Sequence, residues 1–133
     1  MSSPRANHPD PVAAFRRAEK LLGARRPLEA LSALGPVLSG TTDTSAGDAS
    51  VHLLAGRAYL DSAQLRNAEA AFERVIGIDP ADHYARFALG KTLQRQGRLH
   101  EAETQLKMAS AMDPRPEYQE ALGEVRARIA FGS

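Results

Sequence analysis

The chain has 133 residues, which is enough for one domain with a single core. Its 17 Lys and Arg residues nearly balance its 16 Asp and Glu residues, so we expect neither nucleic acid nor an anionic membrane as a partner. The lack of cysteine excludes disulfides, thiolate zinc sites and a cysteine nucleophile, and it is compatible with a reducing, cytoplasmic location.

The N-terminal part of the chain contains a tail, a degenerate helical unit and a loop. Residues 1–10 lack the apolar run of a secretory signal, and we expect a disordered tail there. Residues 11–44 form a first unit, in which Ala30 follows Leu21 by nine residues and Leu34 follows Ala30 by four. This unit runs into the polar stretch 40–48, which predicts a mobile loop between units.

Two clearer units follow at residues 49–82 and 83–116, and they superimpose at an offset of 34 residues. Each contains two apolar faces at helical spacing, joined by a short connection, which predicts a pair of antiparallel helices. We interpret the glycine in each first helix as a site of close helix approach, with an alanine of the second helix as the matching surface. The coinciding pairs are Gly56/Gly90, Tyr59/Leu93, Leu65/Leu99, Ala68/Ala102, Phe72/Leu106, Asp79/Asp113 and Pro80/Pro114.

Several local signals mark where the helices begin and end. Asp79-Pro80 ends the second helix of its unit, and Asp82 is the expected N-cap of the next helix. Gly97 lies where the chain should reverse in the last unit. Residues 117–131 predict one further amphipathic helix, with an apolar stripe at Leu122, Val125 and Ile129, that covers the end of the array. No apolar stretch reaches the roughly 18 residues of a membrane span, so we expect no membrane insertion.

These units resemble the tetratricopeptide repeat (TPR), in which a small residue, a large residue, alanine, a bulky residue and proline recur at fixed positions. The residues that carry the resemblance are Gly56, Tyr59, Ala68, Phe72 and Pro80, then Gly90, Leu93, Ala102, Leu106 and Pro114. It covers about residues 11–131, although His52 and Arg86 stand where the family usually has tryptophan. The resemblance implies an all-α fold, an α–α superhelix (TPR solenoid) of about three helical hairpins with a solvating C-terminal helix.

The resemblance also implies a non-catalytic protein–protein interaction module, such as an adaptor, scaffold or chaperone-like protein, with a concave groove lined by the first helix of each unit. Two aromatic residues and two cations in the third unit favour an acidic or C-terminal peptide as partner. In the alternative interpretation the aromatic residues pack against the capping helix and the cations are solvated. The implied partner-binding residues are Phe15, Glu19, Leu53, Arg57, Tyr84, Phe87, Lys91, Gln94 and Arg95.

One TPR subfamily grips the C-terminal carboxylate of a chaperone with a clamp of Lys, Asn and Arg side chains. None of the corresponding positions matches, and Glu19 has the wrong charge, so we predict no such clamp. Those positions hold Phe15, Glu19, Leu54, Tyr84 and Ala88.

No residues suggest an enzyme, a metal site or a cofactor. His8, His52, His83 and His100 are not related by helical spacing, and no glycine-rich phosphate loop occurs. Arg16-Arg17 and Arg25-Arg26 are interrupted by acidic residues, which disfavours nucleic-acid binding. A homo-oligomeric scaffold remains the alternative to a partner-binding module. The Ala-, Arg- and Gly-rich composition favours a bacterial source.

Overall fold

The computed structural model describes residues 10–39 and 46–132, and within them it contains only helices and turns. Consecutive helices pack as antiparallel pairs, each pair packs on the next, and the last helix covers the third pair. The predicted all-α array of three helical hairpins with a C-terminal helix is therefore confirmed. The helices are α1 (Pro11–Gly23), α2 (Pro27–Ser39), α3 (Ala46–Asp61), α4 (Leu65–Ile78), α5 (His83–Arg95), α6 (Leu99–Met112) and α7 (Pro116–Phe131).

Aspartate side chains cap two of the first helices. As predicted, Asp82 caps α5, where its carboxylate accepts a hydrogen bond from the backbone N–H of Ala85 at 2.9 Å. Asp10 caps α1 in the same way, by accepting from the backbone N–H groups of Val12 and Ala13. The expectation of a disordered tail is thus wrong for Asp10, and its remainder, residues 1–9, lies outside the described residues.

The segment between α2 and α3 differs from the prediction at one end. Helix α3 begins at Ala46, so residues 46–48 are helical rather than part of the expected loop. Alanines at 46 and 49 favour an earlier helix start, whereas the 34-residue alignment marks a repeat position and not a helix end. The other residues of the expected loop, 40–45, lie outside the described part of the chain.

The turns within the three helical pairs share a left-handed residue. Gly97 has φ of 79° between α5 and α6, which confirms the predicted reversal there. The equivalent turns use Arg25 at φ 62° and Ala63 at φ 61°. Non-glycine residues adopt this conformation at a cost of about 1–2 kcal/mol. Only the last turn therefore has the residue best suited to its backbone.

The core consists of two clusters of buried side chains, and Tyr59 packs against both. One cluster joins the first pair to α3, and the other joins α4, α5 and α6 to α7. The array is thereby continuous from the first pair to the last helix. The largest fully buried side chains are Tyr118, Phe72, Leu34, Leu106, Val75, Val125 and Thr92.

The two mid-helix glycines of the repeat permit close packing, as the sequence predicts. A Cβ atom on Gly56 would lie 2.6 Å from Cε1 of Phe72, and one on Gly90 would lie 2.6 Å from Cγ of Leu106. The nearest side chains are those of Phe72 and Leu106, whereas the sequence suggested the alanines at 68 and 102 as the matching surface. The backbone oxygen of Ala102 would lie 3.4 Å from a Cβ atom on Gly90.

None of the helices in residues 10–39 and 46–132 combines the length and apolar content that a membrane span requires.

Candidate functional site

The first helix of every pair lies on one side of the array. Helices α1, α3, α5 and α7 contact one another in succession, whereas α2, α4 and α6 have no such contacts in the described residues. The array therefore bends toward the odd-numbered helices, which form its inner face. The predicted groove residues all belong to these helices, and on each helix most of them are exposed or half-buried.

At its N-terminal end the inner face contains an open cleft of about 370 Å³ between α1 and α3. Most of its surface is apolar, and Val12 is 59% exposed beside a half-buried Phe15. The cleft brings together the predicted site residues Phe15 and Glu19 with residues at the start of α3. Its lining residues are Pro11, Val12, Phe15, Arg16, Glu19, Ser50 and Val51.

In the third pair, the predicted aromatic residues make contacts within the chain. Phe87 stacks on Tyr118 of α7, with ring centroids 4.6 Å apart and planes 25° apart, and Tyr84 lies 6.1 Å from Phe87. Lys91 places its ammonium 5.9 Å from the Phe87 ring centroid. Phe87 therefore packs against the capping helix, as the alternative interpretation of the sequence had it.

Arg95 links the third pair to the second. Its guanidinium donates a hydrogen bond to the backbone carbonyl of Leu60 at 3.0 Å, close to the C-terminal end of α3. A cation at this end of a helix also interacts favourably with the unpaired carbonyls there. Arg95 thus has a contact within the chain that holds α5 to α3. By contrast, neither Arg57 nor Lys91 forms an ion pair among the described residues.

The sequence interpretation missed Tyr118, which is fully buried where α7 meets α5. Its hydroxyl lies 2.8 Å from Nδ1 of His83, and Nε2 of His83 lies 3.2 Å from Oδ2 of Asp113. Arg115 donates to the same carboxylate oxygen at 2.7 Å. Tyr118 lies four residues before Leu122, on the predicted apolar stripe of α7, so helical spacing extended by one turn would have found it.

Burial and hydrogen bonding shift the pKa values of Tyr84, Tyr118 and Asp113 in different directions. Burial raises the pKa of the Tyr84 hydroxyl, despite the opposing effect of Arg57, and it also raises the pKa of Tyr118. The hydrogen bond from Arg115 holds the pKa of Asp113 below its usual range. At neutral pH Asp113 is therefore charged beside His83, and both tyrosines are neutral.

A protein-family model described as "Tetratricopeptide repeat" matches residues 59–125, which is half of the chain. The chain belongs to the tetratricopeptide repeat family. The match runs from the second pair to the middle of α7. No curated protein sequence matches this TPR chain.

Solved structures share the TPR fold at low sequence identity. The crystal structure of MamA has a TM-score of 0.85 at 15% identity, over 95% of this chain and 72% of that one. The TPR domain of Arabidopsis OM64 has a TM-score of 0.80 at 14% identity, over 88% and 94% of the two chains. The second TPR domain of human RPAP3, in complex with the HSP70 peptide SGPTIEEVD, has a TM-score of 0.77 at 16% identity, over 86% and 93%.

Two positions that correspond to the carboxylate clamp of one TPR subfamily are apolar and buried here. Leu54 and Ala88 are each 3% exposed and belong to the core. A ligand in the groove therefore has no access to them. Within the described residues no group of His, Asp and Glu side chains is arranged to hold a metal ion.

Proposed function

We propose that this TPR chain is a non-catalytic interaction module that binds a short peptide segment of another protein along the inner face of α1, α3 and α5. The observation that carries the proposal is the open apolar cleft between α1 and α3, which lies on the face formed by the odd-numbered helices. The RPAP3 domain holds a peptide on a similar fold, and this supports a peptide as the ligand class. We also propose that the module acts in the cytoplasm.

The apolar cleft favours a partner with one apolar side chain as its anchor. Val12, Phe15 and Val51 offer aliphatic and aromatic surface, and burial of one aliphatic or aromatic side chain contributes about 1.5–3 kcal/mol. Val12 is exposed and Phe15 half-buried, so both are accessible in the absence of a partner, while the buried Val51 lines the floor of the cleft. The cleft therefore supplies affinity at one end of the groove.

The charges further along the inner face favour an acidic partner. Arg57 on α3 and Lys91 on α5 have no ion pairs among the described residues, and Arg95 adds a third positive charge. None of the predicted binding residues on these two helices is acidic, although Asp61 is the last residue of α3. The proposed ligand thus combines an apolar anchor with carboxylates, whether from acidic side chains or from a free C-terminus.

The contacts of the third pair divide the predicted binding residues into two groups. Phe87 stacks on Tyr118, and Arg95 donates to Leu60, so both contribute to joining the helices. Lys91 lies over the Phe87 ring and keeps its ammonium without a carboxylate partner among the described residues. We therefore propose that Lys91, which lies over the stacked rings of Phe87 and Tyr118, is the residue of this pair that contacts the ligand.

Replacement of Lys91 with Glu should weaken peptide binding at least about tenfold, because it turns an attraction for carboxylates into a repulsion. The probe is the tightest binder selected from a display library of short peptides with free C-termini, and its affinity is measured by isothermal titration calorimetry. Lys107→Glu makes the same charge change at an exposed position on α6, outside the inner face, and should leave the affinity nearly unchanged. Equal affinities of the Lys91→Glu variant and the original chain would contradict the proposal.

A further inference from the structure

The N-terminal end of the array has a furrow of about 540 Å³ between α1 and α2. In the described residues α1 and α2 contact only each other and α3, so no helix covers this end, whereas α7 covers the other. The furrow combines small and apolar side chains with a few charged ones. Its lining residues are Asp10, Ala13, Ala14, Arg17, Leu21, Glu29, Ser32, Ala33 and Pro36.

The charge of this end is positive once its internal contacts are counted. The carboxylate of Asp10 caps α1, and Glu29 forms an ion pair of 2.6 Å with Arg26. Arg17 at the furrow and its neighbour Lys20 are exposed and form no ion pair with any described residue. The furrow therefore lies beside two cations that are available to a partner.

The opposite end of the array has the complementary charge. Glu117, Glu120 and Glu124 follow one another at helical spacing on α7, on a flank beside the buried residues, and all three are exposed. Phe131 continues the same stripe and is 84% exposed. Arg126 is paired with Glu103 on α6 at 3.0 Å. Arg128 lies between Glu124 and Phe131 on the same stripe and is also exposed, so the stripe has three carboxylates, one cation and one large apolar side chain at its end, and a net negative charge.

We propose that copies of this chain associate head to tail, with the outer stripe of α7 of one copy docked into the furrow between α1 and α2 of the next. Glu120 and Glu124 then face Arg17 and Lys20, and Phe131 packs on the apolar part of the furrow. Two N-terminal ends would repel each other because both are positive, and two α7 ends would repel each other because both are negative. The charges therefore favour head-to-tail association over pairing of two identical ends. The inference does not depend on peptide binding in the groove.

The two docking surfaces differ, so each copy keeps one surface free for a further copy. Such a heterologous contact does not close on itself unless its rotation closes a ring, and it therefore produces open chains. A contact confined to the end of a two-helix layer is small, so we expect weak association at high protein concentration. Its charge pairs are exposed, so salt should weaken it, since the Debye length falls from about 30 Å at 0.01 M to about 3 Å at 1 M.

Sedimentation equilibrium across a concentration series tests this proposal, with two charge-reversed variants. Arg17→Glu with Lys20→Glu makes both ends acidic, and Glu120→Lys with Glu124→Lys makes both ends basic. In low salt the original chain should show an average mass that rises with concentration, and each variant alone should associate at least about tenfold more weakly. An equimolar mixture of the two variants should recover association, because each end then meets the opposite charge.

Circular dichroism serves as the control for folding. Both variants should keep the helical spectrum of the original chain, because all four substituted positions are exposed. A monomeric original chain at every concentration in low salt would overturn the proposal. Association that both variants retain, or a mixture that stays monomeric, would overturn it as well. The Phe131→Ser variant adds a test of the apolar contact and should associate more weakly at every salt concentration.

Discussion

The Tyr118→Ala substitution is expected to lower the free energy of unfolding by about 3–5 kcal/mol, the usual cost of truncating a large buried aromatic residue. Tyr118 is fully buried, stacks on Phe87 at 4.6 Å and lies within hydrogen-bond distance of His83. Its loss leaves a cavity between α7 and α5 and removes a partner of the His83 side chain. Urea unfolding followed by circular dichroism measures the change.

Two further variants separate the contributions of the ring and the hydroxyl. Tyr118→Phe keeps the stacking on Phe87 and removes only the hydrogen bond to His83, so it should cost about 0.5–1.5 kcal/mol. Gln119→Ala changes the exposed neighbour on α7 and should stay within about 0.5 kcal/mol of the original chain. If Tyr118→Ala cost no more than Gln119→Ala, the proposed role of Tyr118 in holding α7 would be wrong.

Alanine at either repeat glycine should destabilise the chain by about 1–3 kcal/mol, although alanine is intrinsically better in a helix by about 0.5–1 kcal/mol. The added Cβ would meet the ring of Phe72 at position 56, or the branch point of Leu106 at position 90, at 2.6 Å in each case. Both partners are fully buried in the close-packed core, so moving them aside would disturb their other contacts. The melting temperature and the urea midpoint should therefore both fall.

Gly123→Ala provides the matched control for these two variants. Gly123 lies inside α7, and apart from the adjacent backbone of α7 itself no atom lies within 4 Å of the position where its Cβ would be placed. The same substitution there should raise the free energy of unfolding by about 0.5–1 kcal/mol through helix propensity alone. Equal effects at positions 56, 90 and 123 would show that packing against Phe72 and Leu106 does not decide the role of the glycines.

Most of the fold could be predicted because the repeat is encoded by local spacing. A 34-residue offset aligns Gly56 with Gly90 and Phe72 with Leu106, and the apolar faces repeat at helical intervals. The helical patterns depend on residues close in the sequence, so they can be recognised without any knowledge of tertiary contacts. The N-cap at Asp82 and the reversal at Gly97 follow from the same local chemistry.

The sequence could not show which groove residues are engaged within the chain. Arg95 and Leu60 are 35 residues apart, as are His83 and Tyr118, and neither contact belongs to the repeat pattern. The repeat positions place Phe87 on the inner face, but its stacking depends on the angle at which α7 packs. The open cleft between α1 and α3 likewise results from tertiary packing, since its lining comes from two helices in different pairs.

The most direct test of the central claim is an NMR titration of the isotope-labelled chain with the tightest peptide selected from the display library. Binding along the inner face predicts that the amide shifts change in α1, α3 and α5, including Phe15, Ser50 and Lys91. Residues on the outer helices, such as Lys107, should keep their shifts. Changes confined to α2, α4 and α6, or to the two ends of the array, would contradict peptide binding in the groove.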